Sequence, residues 1–223
     1  MSRSSAMQAG SPPAEFREQQ RALERAYLAE SDPIRQSGFS GGPRRWRAER
    51  EPILEAVPAD GDFLDIGCAN GYLLQCLVAW AGERGIRLNP YGLDVGARLI
   101  DLAKHRWPER ADQLWVGDAW SWNPPRRFDY VYTLLEYVPF LGESPDIRPG
   151  PLVRLYLERL LGKAVRPGGR LIVGSYGSRS RGVPPLDLRS TLEDYGFQVA
   201  GTAEGGSPIT TRFAWVDRHE AGP

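Results

Sequence analysis

The chain has 223 residues, 41% of them hydrophobic, and its 28 basic residues are balanced by 28 acidic ones. That length suffices for one sizeable α/β domain with an appendage. Zero net charge argues against a protein that grips a phosphate backbone, and no apolar run approaches the ~20 residues of a membrane span. Cys68 and Cys76, the two cysteines, form neither a CxxC nor a zinc spacing, which fits a reduced, cytoplasmic setting.

Residues 1–15 are rich in Ser, Pro and Gly without an apolar core and read as a disordered tail. Residues 16–31 have helical density, with Leu23, Tyr27 and Leu28 on one stripe. After Asp32-Pro33 comes a glycine- and arginine-rich linker over residues 38–47, which holds Phe39 and Trp46. A second helix is expected over 46–57, ending before Pro58. Its plain role is packing against a sheet edge.

The organising stretch is Phe63-Leu64-Asp65-Ile66-Gly67-Cys68-Ala69-Asn70-Gly71-Tyr72-Leu73-Leu74. A short apolar run suited to a buried parallel strand leads into a turn bracketed by two glycines, and an apolar-periodic helix follows from Tyr72. Glycine lets a ligand approach the main chain and permits positive φ. A nicotinamide fingerprint would need G-x-G-x-x-G, whereas here the spacing is G-x-x-x-G with Ala69 between. That spacing suits a ligand without a pyrophosphate. Strand, turn and helix together resemble the first motif of the class I S-adenosylmethionine-dependent methyltransferases. The resemblance implies a seven-stranded, mostly parallel, doubly wound α/β sheet with an antiparallel last strand and helices between the first five strands. It further implies an N-terminal helical cap over residues 16–58, a cofactor domain over 59–218, and S-adenosyl-L-methionine as cofactor with S-adenosyl-L-homocysteine as product. The turn residues Asp65, Gly67, Cys68, Ala69, Asn70 and Gly71 would then hold that cofactor. N-terminal helices often cover the substrate cleft in this family, and the aromatic and cationic residues around Phe39 and Trp46 suit such a lid.

Further along, Tyr91-Gly92-Leu93-Asp94 ends a second strand. A carboxylate at its tip can hold a ribose diol. Asp94 could also cap the helix expected over 97–106, and both roles are compatible. Val95 would cover one face of an adenine. Leu114 to Trp120 reads as a third strand ending in Gly117-Asp118-Ala119. In the resembled family an acidic residue here accepts from the adenine amino group, and the next N–H, that of Ala119, donates to the ring. A simple turn role for Asp118 is the alternative.

Residues 128–139 form the fourth strand and its outgoing loop. Carboxyl ends of parallel strands bind ligands, so 133–137 should face the transferred methyl, with Leu134 against the cofactor. Glu136 and Tyr137 are the candidates for general base or substrate anchor, against plain roles as loop carboxylate and cleft wall. A helix over 152–165, the turn Arg166-Pro167-Gly168-Gly169-Arg170 and a fifth strand over 171–175 repeat another family signature. Tyr176 and Arg179 belong to a loop over the cleft, where Arg179 would meet an anionic substrate or simply solvent. A helix over 187–195 and a hairpin-like pair, 197–202 and 211–216, close the chain.

Metal-assisted transfer would need carboxylates at the ends of the fourth and fifth strands; Thr133 and Ser175 stand there instead, so no metal is expected. The expected activity is methyl transfer to an O or N atom of a small-molecule metabolite, such as a natural-product intermediate. An RNA or protein methyltransferase, or a non-catalytic cofactor-binding partner subunit, are the alternatives. Nucleic acid and membrane are not expected partners, and the oligomeric state is not readable.

Overall fold

The computed structural model describes residues 14–135, 151–178 and 182–219. Seven strands form one sheet in the order β3-β2-β1-β4-β5-β7-β6. They are β1 (Gly61–Ile66), β2 (Leu88–Asp94), β3 (Leu114–Val116), β4 (Phe128–Leu134), β5 (Val165–Tyr176), β6 (Val199–Gly205) and β7 (Thr211–Asp217). Strands β1 to β5 run parallel, and β7 is antiparallel to both β5 and β6. The helices are α1 (Ala14–Leu28), α2 (Gly42–Arg50), α3 (Tyr72–Glu83), α4 (Ala97–Arg106), α5 (Pro151–Lys163) and α6 (Leu188–Asp194).

Side-chain alternation sorts the buried strand residues into two cores. Phe63, Tyr130, Tyr132, Ile172 and Phe213 face a layer built on Trp46 of α2, Leu74 and Leu77 of α3, and Ile100 of α4. Leu64, Val131, Val173 and Val216 face Leu157 and Leu160 of α5 and Leu192 of α6. A sheet covered on both faces needs apolar residues at successive positions, and the buried run from Phe63 to Ile66 meets that need with one exception, Asp65.

Three local features depart from the sequence expectations. The helix expected over 46–57 is divided into α2, which ends at Arg50, and a 3-10 stretch from Glu51 to Ala56. Pro52 supplies the reason: it has no N–H with which to continue the α-helical hydrogen-bond ladder. No helix joins β3 to β4; residues 117–127 instead make a turn held by Asp118, whose carbonyl accepts from the N–H groups of Ser121 and Trp122, and Pro124-Pro125 then prevent a helix. The Pro-Gly-Gly turn is absorbed into the start of β5, with Gly168 at φ 75° and a register shift against β4.

Candidate active site

Strand order reverses between β1 and β4, and in open α/β sheets ligands bind at the carboxyl ends beside such a switch point. A cavity of about 160 Å³ lies there. Its floor is made of the tips of β1 (Ile66, Gly67), β2 (Leu93, Asp94), β4 (Thr133, Leu134) and β5 (Tyr176). Gln20, Leu23, Glu24 and Tyr27 of α1 line it as well, so the first helix contributes a wall that the sheet cannot.

The glycine turn owes its shape to β2. Gly67 N–H donates to Leu93 O at 2.8 Å, Cys68 N–H to the same oxygen at 3.2 Å, and Ala69 N–H to Asp94 Oδ2 at 2.8 Å. Gly67 has φ 84°, and a Cβ added there would meet no protein atom within 4 Å; the space over this residue is open. Ala69 takes φ 47°, a conformation that costs a non-glycine residue roughly 1 kcal/mol and is held by the Asp94 bond. Asp94 Oδ1 accepts from Gly96 N–H at 2.7 Å. Desolvation in the cleft raises the Asp94 carboxyl above its ordinary value, the N–H groups of Gly96 and Ala69 lower it in part, and Glu24 raises it again. Asp94 does not cap α4, whose N-cap is Gly96.

Asp118 closes its own turn, accepting from Trp120 N–H at 3.0 Å and Ser121 Oγ at 3.2 Å. Asp118, Ala119 and Trp120 line the cavity, and the Trp120 ring lies parallel to that of Tyr156, 6.2 Å between centroids. Tyr156 hydroxyl is 3.1 Å from Thr133 Oγ1; burial pushes its pKa up to about 12, so it stays protonated.

Of the residues named from sequence, the structure brings Gly67, Ala69, Asp94, Val95, Asp118, Ala119, Leu134 and Tyr176 to one cavity. Others are drawn elsewhere. Asn70 is fully buried and spent on structure: its amide donates to Pro33 O and Gln36 Oε1, and its oxygen accepts from Ser37 Oγ and Tyr72 N–H. Cys68 is buried against Gly92, where its sulfur would stand 2.7 Å from an added Cβ, and Gly71 shapes the turn at φ 71°. None of the three lines the cavity. Phe39 and Trp46, expected to meet substrate, are 8% and 3% exposed and pack edge-on against each other, 5.4 Å apart, within the core; large rings next to apolar α3 gain more by burial than by facing a polar cleft. Asp65 sits beneath the turn, 2% exposed, with no hydrogen-bond partner on Oδ2 among the described residues. Burial pushes its carboxyl up to about 7, and the charge of Asp94 adds to the shift. Glu136, Tyr137 and Arg179 lie outside the described residues.

Sequence reasoning missed Ser37, Gly38, Arg50, Trp120 and Tyr156, all of which line the cavity. Trp120 adjoins Asp118-Ala119 and was findable by register; Arg50 lies within an arginine-rich helix where nothing local distinguishes it. Among the described residues no three His, Cys, Asp or Glu side chains cluster in a metal-binding arrangement, and no helix is long and apolar enough to cross a membrane.

No protein-family model and no curated protein matches the chain. Solved structures do. The DhpI–SAH complex is 17% identical with a TM-score of 0.60, and the match covers 92% of this chain and 98% of that one. Magnesium protoporphyrin IX methyltransferase from Synechocystis PCC 6803, with bound SAM, is 15% identical with a TM-score of 0.59 over 93% and 99%. A SAM-dependent methyltransferase from Aquifex aeolicus is 21% identical with a TM-score of 0.56 over 84% and 99%. Strand order, antiparallel β7 and these likenesses together give the chain the fold of the class I, Rossmann-like S-adenosylmethionine-dependent methyltransferases.

Proposed function

We propose that the chain is an S-adenosylmethionine-dependent methyltransferase acting on an O or N atom of a small molecule. The observation that carries the reading is the convergence of an open glycine turn and two carboxylates, Asp94 and Asp118, on one cavity at the switch point of the sheet. The residues fit the cofactor: the space over Gly67 admits a ligand against the main chain, and the unpartnered, buried Oδ2 of Asp65 suits a cationic ligand above the turn. When bound, the cofactor supplies an activated sulfonium methyl.

What the chain supplies is alignment and exclusion of water. Asp94 keeps a second lone pair on each oxygen for ribose hydroxyls, and its two backbone donors fix its orientation. Ala119 offers main chain to an adenine edge, and the Trp120 ring and the exposed Val95 line the same cavity. Alignment of nucleophile and methyl contributes on the order of 7–11 kcal/mol to such transfers, so few side chains need touch protons. A cavity walled by α1 suits a small acceptor better than a polymer, and zero net charge points the same way.

The test is calorimetric titration with S-adenosylhomocysteine, followed by incubation of a metabolite pool with labelled cofactor and mass spectrometry of the products. Micromolar binding and a labelled small molecule are expected. Absence of binding would overturn the reading; label found only in RNA or protein would overturn the acceptor class.

A further inference from the structure

The geometry points to Arg50 as a carboxylate receptor in the wall of the cavity, taking either the α-carboxylate of the cofactor or a carboxylate of the methyl acceptor. The inference deepens the reading above and rests on the same cavity. Arg50 is 5% exposed yet lines that cavity, and it is the sole basic side chain among the described residues that do, where Glu24, Asp94 and Asp118 are acidic.

Its charge is poorly answered by the protein. The nearest carboxylate, Glu49 Oε2, is 3.7 Å away from Nη1, and Glu49 already receives Arg45 through Nε at 2.9 Å and Nη2 at 2.8 Å. Two guanidinium groups therefore share one carboxylate, which leaves a surplus positive charge. The single hydrogen bond of Arg50, from Nη1 to Glu49 O, is 3.5 Å long. Its other nitrogens have no partner among the described residues and are not sealed from the cavity either. An arginine presents five donors in a fixed fork, so most of them are available to a ligand.

Aromatic rings hold that fork in place. The guanidinium lies 3.6 Å from the ring centre of Tyr176, 5.0 Å from Phe39 and 5.1 Å from Trp46. Tyr176 is braced in turn by Tyr132, their hydroxyls 2.8 Å apart. Such rings stabilise a desolvated cation only modestly and accept none of its hydrogen bonds in the guanidinium plane. A planar, bidentate carboxylate supplies what is missing, both charge and acceptors. Phe39 and Trp46 thus bear on the site without touching its ligand.

Four probes test the assignment on the full chain and on Arg50→Met: S-adenosylhomocysteine, methylthioadenosine (the adenosyl group without the amino-acid part), benzoate, and benzamide as the uncharged control. A loss of roughly ten- to hundred-fold for S-adenosylhomocysteine, with methylthioadenosine unchanged, would make the cofactor the source of the carboxylate. Unchanged adenosyl binding, with benzoate but not benzamide lost, would make it the acceptor. Arg50→Lys keeps the charge and loses the fork, so a several-fold fall in the same pattern is expected; it carries the test alone if the Met variant fails to fold. Identical affinities for all four probes across the variants would overturn the proposal. If the unaltered chain bound benzoate through Arg50 but neither adenosyl compound, the methyltransferase reading would fall and the receptor would stand.

Discussion

Asp94 and Asp65 are carboxylates one strand apart with opposite situations. Asp94 is answered by two backbone N–H groups and faces the cavity, whereas one oxygen of Asp65 has no hydrogen-bond partner among the described residues. Asp94→Ala should weaken S-adenosylhomocysteine by about 1–3 kcal/mol, because the ribose hydroxyls lose their acceptor and the turn loses the bond that holds Ala69. Calorimetry checks this, and an unchanged affinity would remove Asp94 from the site. For Asp65 the expectation concerns stability and pH. Its carboxyl titrates near 7 in the fold and near 3.9 in an unfolded chain, so the folded state binds the proton more tightly. The resulting stabilisation is complete below the unfolded value and is lost as pH rises through about 7, by at most roughly 4 kcal/mol. Asp65→Asn removes the titration. Urea unfolding of both proteins at pH 5 and pH 8 should therefore show the variant gaining on the parent at the higher pH, and parallel behaviour would contradict the assignment.

At the scale of elements, the glycine turn is held from below by β2 and from above by the segment before α2. Asn70 makes the upper connection, with four hydrogen bonds to Pro33, Gln36, Ser37 and the Tyr72 N–H, all through a side chain that is 0% exposed. Asn70→Ala strips the Tyr72 N–H of its acceptor and the segment before α2 of its tie to the turn, while Gln36 Oε1 keeps Arg106 and Ser37 Oγ keeps Pro33 O. The change should cost about 1–3 kcal/mol in chemical denaturation, and an unchanged stability would mean that water replaces the amide. This tether also marks where the sequence could be read and where it could not. The parallel strands, the α4 helix over Ala97–Arg106 and the carboxylates after β2 and β3 were legible, because short continuous apolar runs, a 3.6-residue period and turn residues encode them locally. The choice between facing a ligand and facing the core was not. Asn70, Cys68, Phe39 and Trp46 lie beside the site in sequence and point away from it, since their partners, Pro33, Gly92 and the apolar side of α3, are 24 or more residues away. Arg50 was hidden for the converse reason: its role comes from Tyr176, on the far side of the sheet sequence.

For the molecule as a whole, the decisive division is between the covered sheet and the helix that roofs its cleft. Neither hydrophobic core contains any of the described side chains of α1, residues 18–28, and none of these is buried. It is attached through its ligand-facing side: Leu23 and Tyr27 line the cavity, and Glu24 Oε1 accepts from Arg98 N–H at 3.0 Å in the first turn of α4. An acidic group near a helix N-terminus is favourable by about 0.3–1 kcal/mol when partly exposed, a small contribution to holding α1 on the cleft. Stability and ligand affinity should therefore separate. A chain beginning at Ala29 should unfold within about 2 kcal/mol of the parent, since half-buried side chains barely offset the entropy of ordering α1. It should bind S-adenosylhomocysteine at least about tenfold more weakly, because the cavity loses one wall and water enters beside Asp94. Denaturation and calorimetry on the same two proteins decide it: equal affinities would make α1 an ornament of the fold, and collapse of the shortened chain would make it part of the core.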